Sequence, residues 1–324
     1  MRGLAWGMIS KLQRRSHPMQ LRLAAIGLVL SFSLHAGHAL AAVPSKLVVF
    51  GDSNVDTGNL FGVFGVPGGR SSNGKLVTEY VAEAFGVPLQ NFAWGGATSG
   101  ATNVVGGGVA NTGLLSQLNT FQSGLGGSPA DAGALYIVWA GSNDLVGANF
   151  TNAADVQARI DGAITNLNTA LSQLDTLGAK KVLVATRTPR PDLLGDNDKA
   201  GQKLNDAIRG LVPTADAALA AHIELFDAYA LIADMVNNPA GYGFTQNLAL
   251  CNSFVACRGS LDVARGWINW DDAHKTTRVH ELMGQAMVAQ VVPEPASVLM
   301  MGLGVLALMA VASRRRVARP AQGT

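Results

Sequence analysis

Short apolar runs alternate with amphipathic stretches of helical spacing through the middle of the chain. Apolar runs of about five residues that end at a glycine are typical of buried parallel strands. The predicted strands are 46–50, a short one around Phe92, 135–139, 181–185 and 223–226, and the predicted helices are 76–85, 153–177, 199–221 and 277–290. Strands separated by such helices connect through right-handed crossovers, which predicts an α/β fold, a three-layer α/β/α sandwich around a mainly parallel sheet.

Two segments rich in Gly, Asn, Ser and Thr, 62–74 and 95–113, lie beside predicted strand ends. Such segments bury little apolar area and suit surface loops. Open parallel sheets place their ligand crevice beyond the carboxyl ends of the strands, so these loops are candidates for its walls. The sequence has no internal repeat and no run of like charge, which favours a single domain over 43–291.

The N-terminal segment has the layout of a secretory signal peptide. Basic residues within the first 22 positions are followed by an apolar run over 23–34 and by the small-x-small pattern Ala39-Leu40-Ala41. The apolar run is short for a membrane-spanning helix. We therefore predict a signal peptide over 1–41, read by the general export machinery and cleaved after Ala41, with an uncleaved N-terminal anchor as the alternative.

The C-terminal segment, 292–324, has the pattern of a membrane segment. Val292-Pro293-Glu294-Pro295 precedes an apolar stretch over 296–312 and then Arg314, Arg315 and Arg316. A stretch of this length can just form a transmembrane helix, with the arginines on the cytoplasmic side. The order resembles the PEP-CTERM sorting signal of Gram-negative bacteria, which implies that an exosortase removes the tail and passes the protein to the cell surface or extracellular matrix. A plain inner-membrane anchor is the alternative, and in both cases the middle of the chain lies outside the cytoplasm.

The charge of the middle of the chain differs from that of the whole. The full chain has a formal net charge of +2, yet 15 of its 24 basic residues and 21 of its 22 acids lie between Val43 and Val291. That part is therefore near −6 and has no basic stripe, which argues against a nucleic-acid partner. The two cysteines, Cys251 and Cys257, are candidates for a disulfide after export, and they are too few to suggest a metal site.

Elimination among the six histidines indicates His274 as a general base. Three of them lie in the predicted signal peptide, His222 begins a predicted strand, and His280 lies on a predicted helix. His274 ends the segment Trp270-Asp271-Asp272-Ala273-His274, directly before the last helix. The Asp271 carboxylate can turn back onto the ring from the same loop, select its tautomer and stabilise the imidazolium. Most Asp-x-x-His spacings, taken alone, occur by chance at the protein surface and have no catalytic role.

Ser53 follows the first predicted strand, in Phe50-Gly51-Asp52-Ser53-Asn54, and so stands at the carboxyl edge of the sheet. A serine hydroxyl becomes a nucleophile only when an adjacent base takes its proton. The Gly-x-Ser-x-Gly elbow of α/β-hydrolases is absent from the sequence. Taken alone, Ser53 is more typical of a helix cap or a turn.

Donors for a developing oxyanion can come from Gly95 and Asn143, which lie where two further apolar runs end. A backbone amide beside a glycine and an asparagine side chain are the groups that such a site uses. Each residue taken alone indicates only a turn. Ser53, Gly95, Asn143 and His274 nevertheless all occupy predicted strand-end loops on one edge of the sheet.

Four sequence blocks resemble, in order, those of the GDSL family of esterases and lipases, the SGNH hydrolases. They are residues 50–59, 91–98, 141–144 and 270–274, which together extend over nearly all of the middle of the chain. The resemblance implies a flavodoxin-like α/β/α fold. It also implies hydrolysis of carboxylic esters, including lipids and acetylated polysaccharides, without a metal or other cofactor.

The same resemblance implies a role for each candidate residue. Ser53 is the nucleophile and offers its backbone N–H to the oxyanion, Gly95 supplies a second N–H, Asn143 supplies a side-chain amide, His274 is acid and base, and Asp271 orients it. Gly96 could take the role given to Gly95, because the glycine pair leaves that assignment one residue loose.

Two positions depart from the family pattern. Asn54 stands where Leu is usual, and Lys275 stands where many relatives have Pro. The second departure can alter the conformation of the loop that sets the direction of the His274 ring. The sorting tail and the polar loops also leave an alternative function open, that of a surface or matrix protein that binds polysaccharide without catalysis.

Overall fold

The computed structural model describes residues 43–66, 69–191 and 195–292, together with Gly304. The signal peptide predicted over 1–41 and nearly all of the tail predicted over 292–324 lie outside these residues. Val43–Pro293 forms one compact unit. Within the described ranges no helix is both long and apolar enough to cross a membrane. The transmembrane helix expected over 296–312 lies outside these ranges and stays a prediction.

Five parallel strands form the central sheet, in the order β2-β1-β3-β4-β5. They are β1 (Leu47–Gly51), β2 (Leu89–Asn91), β3 (Leu135–Trp139), β4 (Lys181–Ala185) and β5 (His222–Phe226). Every residue of β1 and β3 is buried, which explains why these strands are apolar throughout rather than alternating. A small parallel pair, β6 (Gln246–Leu250) and β7 (Trp267–Asn269), lies apart from this sheet.

The helices lie mainly in the crossovers between strands. They are α1 (Asn59–Val63), α2 (Val77–Phe85), α3 (Leu114–Gly124), α4 (Ala153–Leu177), α5 (Asp196–Ala218), α6 (Ala228–Asn237), α7 (Val255–Arg258), α8 (Leu261–Ala264) and α9 (Thr277–Val291). Asn152 begins α4 by accepting hydrogen bonds from the backbone N–H groups of Ala154 and Asp155, and Gly178 ends it in a left-handed conformation.

Two apolar cores lie on opposite faces of the sheet, and together they make the three-layer sandwich predicted from the sequence. One core contains side chains of α3, α4 and α5, such as Leu118, Leu167 and Leu204, packed against Val48 and Tyr136. The other contains side chains of α2, α6 and α9 packed against the opposite face. Each large apolar side chain buried in this way contributes about 1.5–3 kcal/mol, so the sheet is held firmly and its carboxyl edge is a rigid base for loops.

Most predicted elements match observed ones, and the differences have local causes. Helix α3 was not predicted, because its apolar positions Leu114, Leu118 and Phe121 directly follow a glycine-rich loop. Helix α6 and the β6–β7 pair were also missed. The prediction that 95–113 is a surface loop is wrong in part, since Ala97, Ser99 and other residues of this segment are buried.

Candidate active site

The loops that follow β1, β2, β3 and β4 meet at the carboxyl edge of the sheet, as expected for parallel strands. They and the loop before α9 enclose a pocket of about 260 Å³. All four strand-end residues selected from the sequence line this pocket: Ser53, Gly95, Asn143 and His274.

The turn that carries Ser53 depends on the glycine two residues before it. Gly51 has φ +154°, and a Cβ on it would lie 2.2 Å from the carbonyl oxygen of Trp139 on the neighbouring strand. Its N–H donates to Gln117 Oε1, and Gln117 Nε2 donates back to its carbonyl oxygen. A glycine is therefore required here, and the end of β1 is fixed on both polar groups.

The hydroxyl of Ser53 and the ring of His274 are within hydrogen-bonding distance, with 2.8 Å between Oγ and Nε2. The other ring nitrogen, Nδ1, lies 2.9 Å from both carboxylate oxygens of Asp271. With Nδ1 protonated and donating to Asp271, Nε2 is left free to accept the Ser53 proton. Residues 221 positions apart in the chain thus form one continuous hydrogen-bonded line.

Asp271 is held ionised by its surroundings. Burial alone would raise its pKa, but the hydrogen bond and charge of His274 and the backbone N–H groups of Ala273 and His274 outweigh burial and lower the pKa to about 2. The same two backbone N–H groups donate to Oδ1 at 2.8 and 2.7 Å. The carboxylate therefore fixes the loop as well as the ring.

Among the described residues, the backbone N–H groups of Ser53 and Gly96 have no acceptor. Asn143 Nδ2 donates one of its hydrogens to the carbonyl oxygen of Ala97 at 2.9 Å, which leaves its second hydrogen available. All three residues line the pocket. Unused donors that face one cavity are what an oxyanion site requires.

The N–H of Gly95, which the sequence indicated as a donor, is already engaged. It donates to Asp56 Oδ2 at 2.7 Å, so it is not available to a substrate in this structure. Gly96, the alternative within the same glycine pair, has φ +80° and a free N–H. The geometry therefore moves the expected donor by one residue.

Asp56 was missed in the sequence reasoning although it lies inside the first block. Its buried carboxylate accepts from the N–H groups of Gly58, Asn59 and Leu60 as well as from Gly95. It thereby connects the loop after β1 with the loop after β2. The sequence feature that could have identified Asp56 is its position, three residues after the candidate nucleophile Ser53.

Asp144 fixes the loop that carries Asn143. Its carboxylate accepts from the backbone N–H of Ser99 at 2.8 Å and from the Ser99 hydroxyl at 2.6 Å. Arg159 of α4 donates to the carbonyl oxygens of Asp144, Val146 and Gly147 and holds the same loop from outside. The Asn143 amide therefore projects from a segment that is fixed at several points.

Arg187, Thr188 and Arg190, which follow β4, also line the pocket and were missed in the sequence reasoning. The signal was their position, because the sequence places them directly after the predicted strand 181–185, as it places Ser53 after the first predicted strand. Nothing in the sequence showed that Arg187 is 4% exposed.

Lys275, the departure from the family pattern, is a buried connection beneath the His274 loop. Its Nζ donates to the carbonyl oxygen of Pro189 at 2.7 Å and to Asn269 Oδ1 at 2.6 Å. Burial, together with the charge of Arg190, lowers its pKa to about 7. The lysine thus anchors this loop to the loop after β4 and leaves the His274 ring directed at Ser53.

Asp52, next to Ser53, is a carboxyl group that the structure buries completely. Its Oδ1 accepts from the backbone N–H and the side chain of Asn54, while Oδ2 and Asn54 Oδ1 have no hydrogen-bond partner among the residues that the structure describes. Burial raises the pKa of Asp52 to about 6 against these hydrogen bonds.

The other candidates lie away from this pocket. His222 is exposed beside Asp216 and Glu224, and buried His280 accepts from the N–H of Val77. Cys251, directly after β6, and Cys257, in α7, are joined by a disulfide. In the described part of the chain, no group of three or more His, Cys, Asp or Glu residues is arranged to hold a metal ion.

Comparison with known proteins gives two family matches. Residues 47–287 match the family described as GDSL-like Lipase/Acylhydrolase. Residues 291–316 match the PEP-CTERM protein-sorting motif.

Individual relatives are distant. A GDSL esterase/lipase of Arabidopsis thaliana is 25% identical, over 74% of this chain and 85% of its own length. The thermolabile hemolysin of Vibrio parahaemolyticus is 27% identical, over 75% of this chain and 63% of the hemolysin. Among solved structures, a lipolytic protein of the G-D-S-L family from Veillonella parvula is 12% identical with a TM-score of 0.46, over 76% of this chain and 97% of that one.

Proposed function

This chain belongs to the GDSL-like lipase/acylhydrolase family, and from that premise we propose that it is an exported enzyme that cleaves carboxylic esters through an acyl-enzyme on Ser53. The observation that carries the proposal is the 2.8 Å contact between Ser53 Oγ and His274 Nε2, in a pocket also lined by Gly96. The backbone N–H groups of Ser53 and Gly96 have no acceptor in the part of the chain that the structure describes. A nucleophile, its base and donors for the resulting negative charge are the groups that acyl transfer needs.

Ser53 Oγ forms a bond to the ester carbonyl carbon while its proton passes to His274 Nε2. The carbonyl oxygen becomes an oxyanion that accepts hydrogen bonds from Ser53 N–H, Gly96 N–H and Asn143 Nδ2. As the carbonyl re-forms, the alcohol leaves with the proton from His274 and the acyl group remains on Ser53. Water then repeats the sequence with the same base and releases the carboxylic acid.

The small pocket supports short acyl groups. Its volume of about 260 Å³ lies below the usual range of ligand pockets, which begins near 300 Å³. Leu60 and Val105 contribute apolar side chains to its lining, and an acyl chain of a few carbons needs no long apolar channel. Turnover is expected to fall as the chain of a p-nitrophenyl ester lengthens beyond that size.

Substitution of the nucleophile tests the mechanism. Ser53→Ala is expected to lower kcat on p-nitrophenyl acetate by about 10⁴-fold or more without a change in Tm, whereas Ser123→Ala, on the exposed side of α3, is expected to match the wild type. Mass spectrometry of wild-type protein quenched during turnover should find the acyl group on the peptide that contains Ser53. Undiminished turnover in Ser53→Ala would end the proposal, and absence of hydrolysis across a panel of esters would favour the non-catalytic polysaccharide-binding alternative.

The sorting motif supports export of this enzyme followed by removal of its tail. We infer a final location at the cell surface or in the extracellular matrix, reached after temporary attachment to the inner membrane. A chain without residues 292–324 is expected to lose that location in cell fractionation. An unchanged distribution would contradict sorting by the tail.

A further inference from the structure

Two arginines lie in the same pocket as Ser53, and we propose that they bind an anionic group, a carboxylate or a phosphate, that the ester substrate carries near its scissile bond. The proposal rests on the ester hydrolysis proposed above and specifies the substrate for that site. Arg187 and Arg190 line the pocket together with the hydroxyl and imidazole that would react.

Arg187 is fixed in position by buried partners. Its backbone N–H donates to Asn205 Oδ1 at 2.7 Å, and Asn205 Nδ2 donates to its carbonyl oxygen at 3.0 Å. Its side chain lies against α5 at Gly201, where a Cβ would come within 1.6 Å of Nη1. The site therefore requires a glycine on the helix and an amide beneath the strand end, and the guanidinium is placed before any ligand arrives.

The guanidinium of Arg187 is buried, and the carboxylates of Asp198 and Asp52 act on it only through longer-range charge. Its hydrogen bonds go to the carbonyl oxygen and Oδ1 of Asn197, both uncharged. Across the described residues, no carboxylate lies within ion-pair distance of it, and its three remaining N–H groups have no acceptor.

A cation in this state is unusual, because a buried charge is costly unless it is paired. Burial, together with the charge of Arg190, lowers the pKa of Arg187 to about 10 although the charges of Asp198 and Asp52 oppose the shift, so the group still carries its charge at neutral pH. A carboxylate or phosphate in the pocket would supply the missing counter-ion through two parallel hydrogen bonds.

Arg190 supplies a second charge at the rim. It is partly exposed and donates to the carbonyl oxygen of Asp272 at 2.7 Å, with the Asp272 carboxylate at 3.5 Å. Since that carboxylate is 82% exposed, water weakens the pair and leaves Arg190 able to attract an anion. The attraction is confined to the pocket, since residues 43–291 as a whole have a net charge near −6 and do not attract anions.

Matched substrate pairs test the proposal on the purified full-length protein. One pair is an O-acetylated methyl glucuronoside and its neutral carboxyl methyl ester, and the other is acetylglycerol phosphate and acetylglycerol. The anionic member is expected to have a kcat/KM about 30-fold higher than its neutral partner, mainly through a lower KM. A preference confined to the first pair identifies a uronic acid, one confined to the second identifies a phosphate, and a preference in both identifies a general anion site.

Variants assign the preference to the arginines. Arg187→Gln is expected to bring the anionic and neutral kcat/KM values to within about threefold of each other, and Arg190→Gln to reduce the ratio in part. Arg258→Gln removes the same charge from α7, outside the pocket, and is expected to retain the ratio. If Arg187→Gln does not fold, as judged by circular dichroism, Arg190→Gln and the wild-type ratio still decide.

The outcomes separate this proposal from the proposed function. Hydrolysis of all four esters at equal kcat/KM would overturn the anion site and leave the ester hydrolase standing. If none is hydrolysed, binding decides, since inorganic phosphate should raise the Tm of Ser53→Ala and not of Ser53→Ala/Arg187→Gln. No rise in Tm in either protein would overturn the anion site as well.

Discussion

The carboxylate of Asp56 accepts a hydrogen bond from the backbone N–H of Gly95 at 2.7 Å, and this contact engages the one glycine N–H that the sequence offered as an oxyanion donor. The N–H of the next glycine, Gly96, has no acceptor among the described residues. The same carboxylate holds the start of α1 through Asn59 and Leu60. One buried side chain thus keeps the nucleophile loop and the donor loop in a fixed relation.

Asp56→Asn is expected to lower kcat on p-nitrophenyl acetate by about 10²-fold with a much smaller change in KM. An amide group accepts on one side only, so two of the four N–H groups meet an NH₂ group and the loops shift, and a shift of about 1 Å at a reacting centre costs a factor of this size. Steady-state kinetics and Tm measure the effect, with Asp262→Asn on α8 as the control. An unchanged kcat would show that Asp56 does not position the site.

Asn143→Ala is expected to lower kcat by about 10²–10³-fold, the usual cost of one oxyanion donor. The substitution should affect KM little, because the donor acts on charge that develops in the transition state. The control is Asn168→Ala, on the exposed face of α4. A loss of less than about threefold would remove Asn143 from the oxyanion site.

Asp271→Asn is expected to lower kcat by about 10⁴-fold, because an amide favours the wrong tautomer of the neighbouring imidazole. Since the pKa of Asp271 is lowered to about 2, this carboxylate stays ionised over the whole working range and its own titration should not appear in the pH–rate profile. Asp272→Asn, one position along the same loop, is expected to retain hydrolysis of a neutral ester within about threefold. Equal losses in the two variants would contradict the assigned role.

Asp52→Asn is expected to raise Tm at pH 8 more than at pH 4. In the folded protein the pKa of Asp52 is raised to about 6 by burial, from 3.8. The folded state therefore holds this proton more tightly than the unfolded state, and the contribution of Asp52 to stability is complete below about pH 4 and is lost as the pH rises through 6. A shift of this size corresponds to about 3 kcal/mol at pH 8. Thermal unfolding of both proteins at the two pH values measures this pH dependence. An equal change in Tm at pH 4 and pH 8 would show that the pKa of Asp52 is not raised in the folded protein.

The fold could be predicted from the sequence wherever apolar runs ended at clear signals. Strand β3 and helix α4 occur where the pattern placed them, because Gly141 and Gly178 mark where each run ends. Strand β4 occurs where its apolar run placed it. Helix α3 escaped prediction since its apolar positions adjoin a loop whose glycines and asparagines suggested a surface segment. That loop is partly buried because the Asn103 side chain bonds to the loop backbone in place of water: Nδ2 donates to the carbonyl oxygen of Gly95, and Oδ1 accepts from the N–H of Val105.

The site could be predicted only as far as the loops that carry it. Sequence position brought Ser53, Asn143 and His274 to one edge, and the structure places all three around one pocket. The choice between Gly95 and Gly96 depends on the direction of a single N–H, which no spacing reveals. The chemistry of Arg187 depends on its burial against Gly201 and Asn205, which are contacts between distant parts of the chain.

The hydrogen bond from Ser53 to His274 connects residues 221 positions apart. A ribosome therefore makes the hydroxyl early and the imidazole late, and a chain that stalls before residue 274 holds a serine with nothing to take its proton. An ester-cleaving activity that needs both residues can therefore begin only after synthesis has passed residue 274 and the two ends of the domain have folded together.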